Sequence, residues 1–174
     1  WQIVAYEGAD GLRRLERDWR RLTSEMPELS WHHAFETHQA YLRRFVGPGS
    51  RFVSLALQDG NAVHAICPLE LRSRRILAVR VPVWELPWDG NTLIRDVICP
   101  PGPARQVLIP MVVRHVQQRL RRSQWVVIGR VTEGSAAWDC MRELPTRTYC
   151  QDIDGAVDLI DTTITGEEHA AGRS

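Results

Sequence analysis

The spacing of apolar residues changes its period along the chain, and this change constrains the fold more than any other feature of the sequence. Near the N-terminus, apolar residues recur every three or four positions, which predicts a helix with one buried face. From residue 51 to residue 83 they form continuous or β-branched runs, which predict strands. The sequence therefore predicts a domain that mixes helices with a sheet.

Two helices are predicted before residue 50. In the first, Asp10 is the expected N-cap and Pro27 ends the helix. Its buried face is predicted to consist of Leu12, Leu15, Trp19, Leu22 and Met26. The second helix is expected to begin at Ser30 and to end at the Gly-Pro-Gly sequence of residues 47–49. Its predicted buried stripe consists of Trp31, Phe35, Leu42 and Phe45.

A run of strands is predicted next. The segments 51–57 and 62–69 flank an Asp59-Gly60 turn and predict a β-hairpin. The polar residues 72–75 are interpreted as a loop, and further strands are predicted at 76–83 and 92–98.

The second half predicts a helix over 104–122, in which Pro110 lies in the first turn or causes a kink. A short, β-branched buried strand follows at 125–129, and then a helix over 136–144 that Ser135 caps. The chain is extended again from Tyr149. We interpret residues 1–160 as one domain and residues 161–174 as a flexible tail or linker.

Several short segments occur in an order and at a spacing that resemble a known family. They are Leu12-x-x-Leu15-x-x-x-Trp19-x-x-Leu22, Trp31-x-x-x-Phe35, Asp59-Gly60, Pro68-Leu69 and Trp125-Val126-Val127-Ile128. Together they resemble the N-terminal half of two-domain GNAT-like acetyltransferases of the cellulose-biosynthesis (CelD-like) and FemAB type. The resemblance implies an α/β (α+β) fold, in which helices flank a mixed, mostly antiparallel central sheet.

The resemblance also implies a function. Such a half would be the substrate side of an N-acyltransferase that uses acetyl-CoA or another acyl-CoA. The acceptor would be an amino group on a sugar, peptide or envelope-polysaccharide precursor, and a second GNAT-like half or a homodimer would complete the site. The alternative is a non-catalytic GNAT-fold module for binding or assembly, because fold alone does not establish chemistry.

An acyl-CoA enzyme of this kind holds the pyrophosphate with backbone N–H groups at the start of a helix. The segment that best matches this requirement contains Arg130, Gly134 and Ser135. It has one residue too many between Arg130 and Gly134, and Glu133 would repel phosphate. The other interpretation of this segment is an ordinary capped helix start.

The reaction also needs a general base, for which the candidates are Asp89, Asp96, Glu85 and the histidines. The segment from Trp84 to Asn91 resembles a binding loop, since Trp84 and Trp88 could form the walls of a pocket in which Asp89 and Asn91 contact a polar substrate. Alternatively, Asp89 and Asn91 bond their own backbone in a turn, and the tryptophans pack in the core.

Composition bears on other kinds of partner. The formal net charge is +1, which gives no general electrostatic case for nucleic acid. The four cysteines form no CxxC pair, and His32 and His33 are adjacent and point to different sides, so no metal site is expected. No apolar run is long enough for a membrane span, and unpaired thiols favour a cytoplasmic protein.

Overall fold

The computed structural model describes residues 1–27, 31–46, 51–76, 79–87, 96–120, 125–131, 133–142, 148–153 and 156–161. Its strands are β1 (Gln2–Glu7), β2 (Arg51–Asp59), β3 (Ala62–Ile76), β4 (Val79–Glu85), β5 (Val126–Val131), β6 (Thr148–Ile153) and β7 (Ala156–Asp161). Its α-helices are α1 (Gly8–Arg14), α2 (Glu16–Ser24), α3 (Phe35–Phe45), α4 (Pro103–Arg119) and α5 (Ala136–Arg142). A 3-10 helix, Trp31–His33, precedes α3.

The strands form one mixed sheet in the order β1-β2-β3-β4-β5-β7-β6. All neighbouring pairs are antiparallel except β4 and β5, which run parallel through two residue pairs, Trp84 with Val126 and Glu85 with Val127. Because α4 connects these two strands, the parallel pair has the helical crossover that parallel pairing requires. The predicted α+β class, with a mostly antiparallel sheet flanked by helices, is confirmed.

One face of the sheet packs against α1, α2 and α3. The predicted stripe of the first helical segment is buried throughout, from Leu12 to Met26, although a break at Leu15 divides the segment into α1 and α2. Gly11 lets α1 approach β1 closely, because a Cβ at this position would overlap the backbone carbonyl of Tyr6. The helical face predicted from sequence spacing is therefore the face that covers the sheet.

The opposite face is covered by α4. Leu55, Leu57 and Leu69 point to this side and are fully buried. Pro103 occupies the first turn of α4, where its missing N–H costs little, whereas Pro110 lies inside the helix and not in its first turn. No helix among the described residues is long and apolar enough to cross a membrane.

Three sequence-based interpretations are wrong. Residues 72–75 are not a loop but part of β3, which pairs with β4 as far as Ile76. Trp31 and Phe45 do not belong to the buried stripe of the second helix, because they are 60% and 45% exposed. Asp10 is not an N-cap either, since α1 already begins at Gly8.

The chain between β4 and α4 departs from a simple strand. Glu85 pairs with Glu70 of β3, and Ile98 forms a single antiparallel bridge with Ile66 of the same strand. Glu85 and Ile98 are thirteen positions apart in the sequence, but their partners on β3, Glu70 and Ile66, are only four positions apart. Of the strand predicted at 92–98, only residues 96–98 are described, and they contribute this one bridge.

Candidate functional site

Two buried carboxylates and two arginines lie together on β3 and β4, on the face of the sheet that α1, α2 and α3 cover. Alternation along β3 places Glu70, Arg72 and Arg74 on one face, and the register with β4 puts Glu85 opposite Glu70. Both carboxylates are almost fully buried, at 3% and 1% exposure. The two guanidinium side chains are partly open to solvent, at 26% and 36%.

Hydrogen bonds join these groups to α3 in a network that we call the β3–β4 polar cluster (Tyr41, Glu70, Arg72, Arg74 and Glu85). The Tyr41 hydroxyl donates to Glu70 Oε2 at 2.5 Å, and Arg72 Nε donates to the same oxygen at 2.9 Å. A second nitrogen of Arg72 contacts the Tyr41 hydroxyl. Arg74 Nε donates to Glu85 Oε2 at 2.8 Å, and Arg72 Nε lies 3.4 Å from Glu85 Oε1.

The electrostatics of the cluster keep the Arg72 guanidinium charged and the Tyr41 phenol neutral. Burial and the hydrogen bond to Glu70 raise the pKa of Tyr41, so its hydroxyl remains a hydrogen-bond donor. Burial works to lower the pKa of Arg72, but the hydrogen bond and charge of Glu70 outweigh it and raise the pKa overall. Two carboxylates thus face two guanidinium groups, and the outer parts of the arginines can contact a polar or anionic ligand.

A second buried polar centre lies where the chain returns to the sheet. Asp96 Oδ1 accepts from the amides of Val97 at 2.8 Å and Ala137 at 2.5 Å. Its Oδ2 accepts from the amide of Ala136 at 3.2 Å and from His33 Nε2 at 2.9 Å. Because both oxygens already have two donors each, Asp96 is better suited to holding α5 in place than to removing a proton, which weighs against its predicted role as a base.

His33 extends this connection to the first helices. Its backbone carbonyl accepts a hydrogen bond from Trp19 Nε1 at 2.7 Å, and its ring is hydrogen-bonded to Asp96. The chain of contacts therefore runs from α2 through the 3-10 helix and Asp96 to the start of α5.

The predicted anion-binding turn is occupied by contacts within the chain. Ser135 caps α5 as predicted, since its Oγ accepts from the amide of Trp138 at 3.2 Å. Together with Asp96, it uses the amides of residues 136–138, which a pyrophosphate would need. Gly134 supplies a left-handed turn with φ of 82°. Arg130 lies on β5, and its side chain is outside the described part of the structure. These contacts weigh against the predicted cofactor-binding role.

The predicted aromatic binding loop is only partly described. Trp84 is fully buried, and its Nε1 has no hydrogen-bond partner among the residues that the structure describes. It lies in β4, on the face of the sheet opposite Glu85, so it does not line the β3–β4 polar cluster. Trp88, Asp89 and Asn91 lie outside the described residues, and their substrate-binding and catalytic roles stay predictions.

The three thiols that the structure describes, and His38, do not suit catalysis. Cys67, Cys99 and Cys140 are buried and free, and burial raises the pKa of Cys67. The hydrogen bond with Cys99 and then burial raise the pKa of Cys140. Burial lowers the pKa of His38 to about 4, which keeps its ring neutral at physiological pH. Across the described ranges, no group of three His, Cys, Asp or Glu residues could hold a metal ion.

Sequence reasoning missed four members of the β3–β4 polar cluster: Tyr41, Glu70, Arg72 and Arg74. One signal was present, since Glu70, Arg72 and Arg74 alternate with a period of two, as residues on one face of a strand do. In comparisons with known proteins, no family model and no curated protein matches this chain.

Proposed function

We propose that this chain is the substrate-side half of an acyl-CoA-dependent N-acyltransferase, and that the β3–β4 polar cluster binds its acceptor. The acceptor would be an amine that also carries a carboxylate or phosphate, on a sugar, peptide or envelope-polysaccharide precursor. The observation that carries the proposal is a buried, charged cluster at the carboxyl end of β4, beside the parallel pair of strands. An active site would be completed by a second GNAT-like half or by a second copy.

The position of the cluster in the sheet supports a binding role. Ligands of α/β sheets commonly bind beyond the carboxyl ends of parallel strands, where the neighbouring strands no longer pair. Here β4 ends at Glu85, and β5 continues to Val131 after its last pair with β4, at Val127. Glu85 also lies within the segment from Trp84 to Asn91, in which the sequence predicts an aromatic pocket. The mostly antiparallel order with one parallel step supports the GNAT resemblance.

The energetics of the cluster also favour use over stability. A buried set of ion pairs stabilises a fold no better than apolar residues of similar volume. Aliphatic side chains at Glu70 and Glu85 would therefore serve packing equally well. The partly exposed guanidinium group of Arg74 bonds Glu85 through Nε and Nη2, and its Nη1 has no partner within the described part of the chain, so it offers donors that match a carboxylate or phosphate. These donors are the basis for proposing an anionic group on the acceptor.

One observation favours the alternative of a non-catalytic binding or assembly module. The amides at the start of α5 are bonded to Asp96 and Ser135, so this turn offers no free donors to an acyl-CoA pyrophosphate. If this chain were an enzyme half, its donor would be held elsewhere.

A thermal-shift series tests whether the chain binds an acceptor or a donor. Ligands that bind the folded state raise the melting temperature, and a hundredfold excess over Kd corresponds to about 2.7 kcal/mol. The series contains acetyl-CoA, coenzyme A, desulfo-coenzyme A, amino sugars with and without a phosphate, and short peptides with a free amine. We expect amines that carry an anionic group to raise the melting temperature, and their neutral counterparts to raise it less.

Two arginine variants test the site itself. R74Q removes a guanidinium from the cluster, and we expect it to abolish most of the shift. R75Q is the control: Arg75 is the next residue on β3, is exposed and points to the opposite face of the sheet. Its loss removes the same charge and should preserve the shift. If no amine at about 10 mM shifted the melting temperature, or if both variants behaved alike, the acceptor-binding proposal would fail and the assembly module would be the better conclusion.

A further inference from the structure

A groove lies between the edge strand β1 and the C-terminal half of α4, on the far side of β2 from the β3–β4 polar cluster. Its volume is about 600 Å³, and Ile3, Ala5 and Met111 contribute apolar surface to it. Arg114 and Arg119 stand on its α4 side. No acidic residue is among those that line it.

The strand that forms one wall of the groove is the end of the sheet. β1 pairs only with β2 among the described strands, so every second residue of β1 presents its N–H and C=O to the free edge. Ala5, in the middle of β1, is exposed. An extended peptide could therefore add to the sheet by main-chain hydrogen bonds and place alternate side chains in the groove.

The charge of the groove selects the partner. Arg114 and Arg119 are exposed, and neither has a hydrogen bond or ion pair within the part of the chain that the structure describes. Burial and the charge of Arg119 lower the pKa of His115, which also lines the groove, so the two arginines supply its charge near neutral pH. Unpaired arginines beside an open strand edge complement carboxylates on an added strand.

We propose that β1 and this groove bind an extended, acidic segment of a partner protein as an additional antiparallel or parallel strand. A second copy of the chain fits less well. Pairing of β1 with its counterpart would bring two sets of Arg114 and Arg119 close together, and like charges would oppose the contact. This inference does not depend on the proposed acyltransferase function.

Fluorescence anisotropy with labelled octapeptides tests the proposal on the whole chain. One peptide alternates Val and Glu, and a second alternates Val and Lys. A third is the Val-Glu peptide with N-methyl groups at alternate residues, which removes the donors of one edge. We expect the Val-Glu peptide to bind saturably, with an affinity that falls as salt is added. The N-methylated peptide should bind more weakly, and the Val-Lys peptide should not bind.

Charge variants then locate the site. The double variant R114Q/R119Q should weaken binding of the Val-Glu peptide about fivefold, as expected for two exposed ion pairs. R43Q/R44Q removes two exposed arginines from α3 and should leave the affinity unchanged. Hydrogen exchange should show that the peptide protects amides of β1.

Three results of the peptide experiments would overturn the proposal. They are equal binding of the Val-Lys peptide, an unchanged affinity in R114Q/R119Q, and the absence of new protection in β1. A dimer that forms without peptide and protects the β1 amides would assign the edge to a second copy, and it would also overturn the proposal.

Discussion

Removing the carboxylate of Asp96 should destabilise the chain more than any other single polar substitution proposed for it. In D96A, the amides of Val97, Ala136 and Ala137 and the ring of His33 lose their acceptor in a buried region. Each buried donor left without a partner costs about 1–3 kcal/mol, and these costs are not additive because the neighbours relax. The loss of a buried, hydrogen-bonded charge typically totals about 3–5 kcal/mol, which we expect for D96A.

Urea unfolding followed by tryptophan fluorescence measures this cost. A typical domain of this size is stable by about 5–15 kcal/mol, so D96A could lose most of its stability. D96N retains one oxygen acceptor and should lose less, about 1–3 kcal/mol, which keeps the test usable if D96A does not fold. D10N is the control, because Asp10 is exposed and pairs only with Arg13 on the surface. Its effect should stay within about 0.5 kcal/mol.

The reasoning would be refuted if D96A unfolded at nearly the same urea concentration as D10N with an unchanged m-value. That result would mean that Asp96 does not hold α5 against the rest of the domain. A large effect of D96A with no loss of acceptor binding would instead separate this structural centre from the β3–β4 polar cluster.

Three further predictions concern other buried groups, each followed by urea unfolding. Burial lowers the pKa of His38 from 6.5 to about 4 in the folded chain, so the unfolded chain takes up the proton first and stability falls as pH drops from 6.5 towards 4. Between pH 7 and pH 5 the wild type should lose about 1–2 kcal/mol more than H38Q, and equal losses would contradict this. Y41F removes the hydroxyl that donates to Glu70 and should lower the free energy of unfolding by about 1–2 kcal/mol. The control Y6F removes only a partly buried contact with the Gln58 amide and should lower it less, and equal losses would argue against a stabilising role of the network. G11A should cost about 1–3 kcal/mol because its methyl group would overlap the Tyr6 carbonyl, and a neutral G11A would show that α1 can move away from β1.

Local patterns were sufficient to predict the elements that bury one continuous face. The spacing from Leu12 to Met26 identified the helical surface that packs on the sheet, because helical periodicity fixes which residues share a face. The strand at 125–129 was predicted for a similar reason, since a short β-branched apolar run is typical of a strand buried on both faces.

The failures lie where distant residues decide the structure. Residues 72–75 are a strand because Arg72 and Arg74 meet Glu70 and Glu85, and the position of Glu85 cannot be inferred from local polarity. The partners of Asp96 on α5 are about forty residues away, so no local pattern could show that its oxygens are already occupied. Trp31 and Phe45 have the apolar character of core residues but lie at the ends of their segment, beyond the surface that the sheet covers.

The interrupted pairing along β3 affects how this protein could change over evolution. Since the ladder resumes at Ile98 opposite Ile66, the chain between Glu85 and Ile98 is joined to the sheet at both of its ends. The entropic cost of closing such a connection grows only slowly with its length, so a change in the number of residues between Pro87 and Asp96 need not disturb the strands on either side, provided that Asp96 keeps its contacts. Related sequences could therefore differ in the length of this one connection while the rest of the domain stays nearly constant.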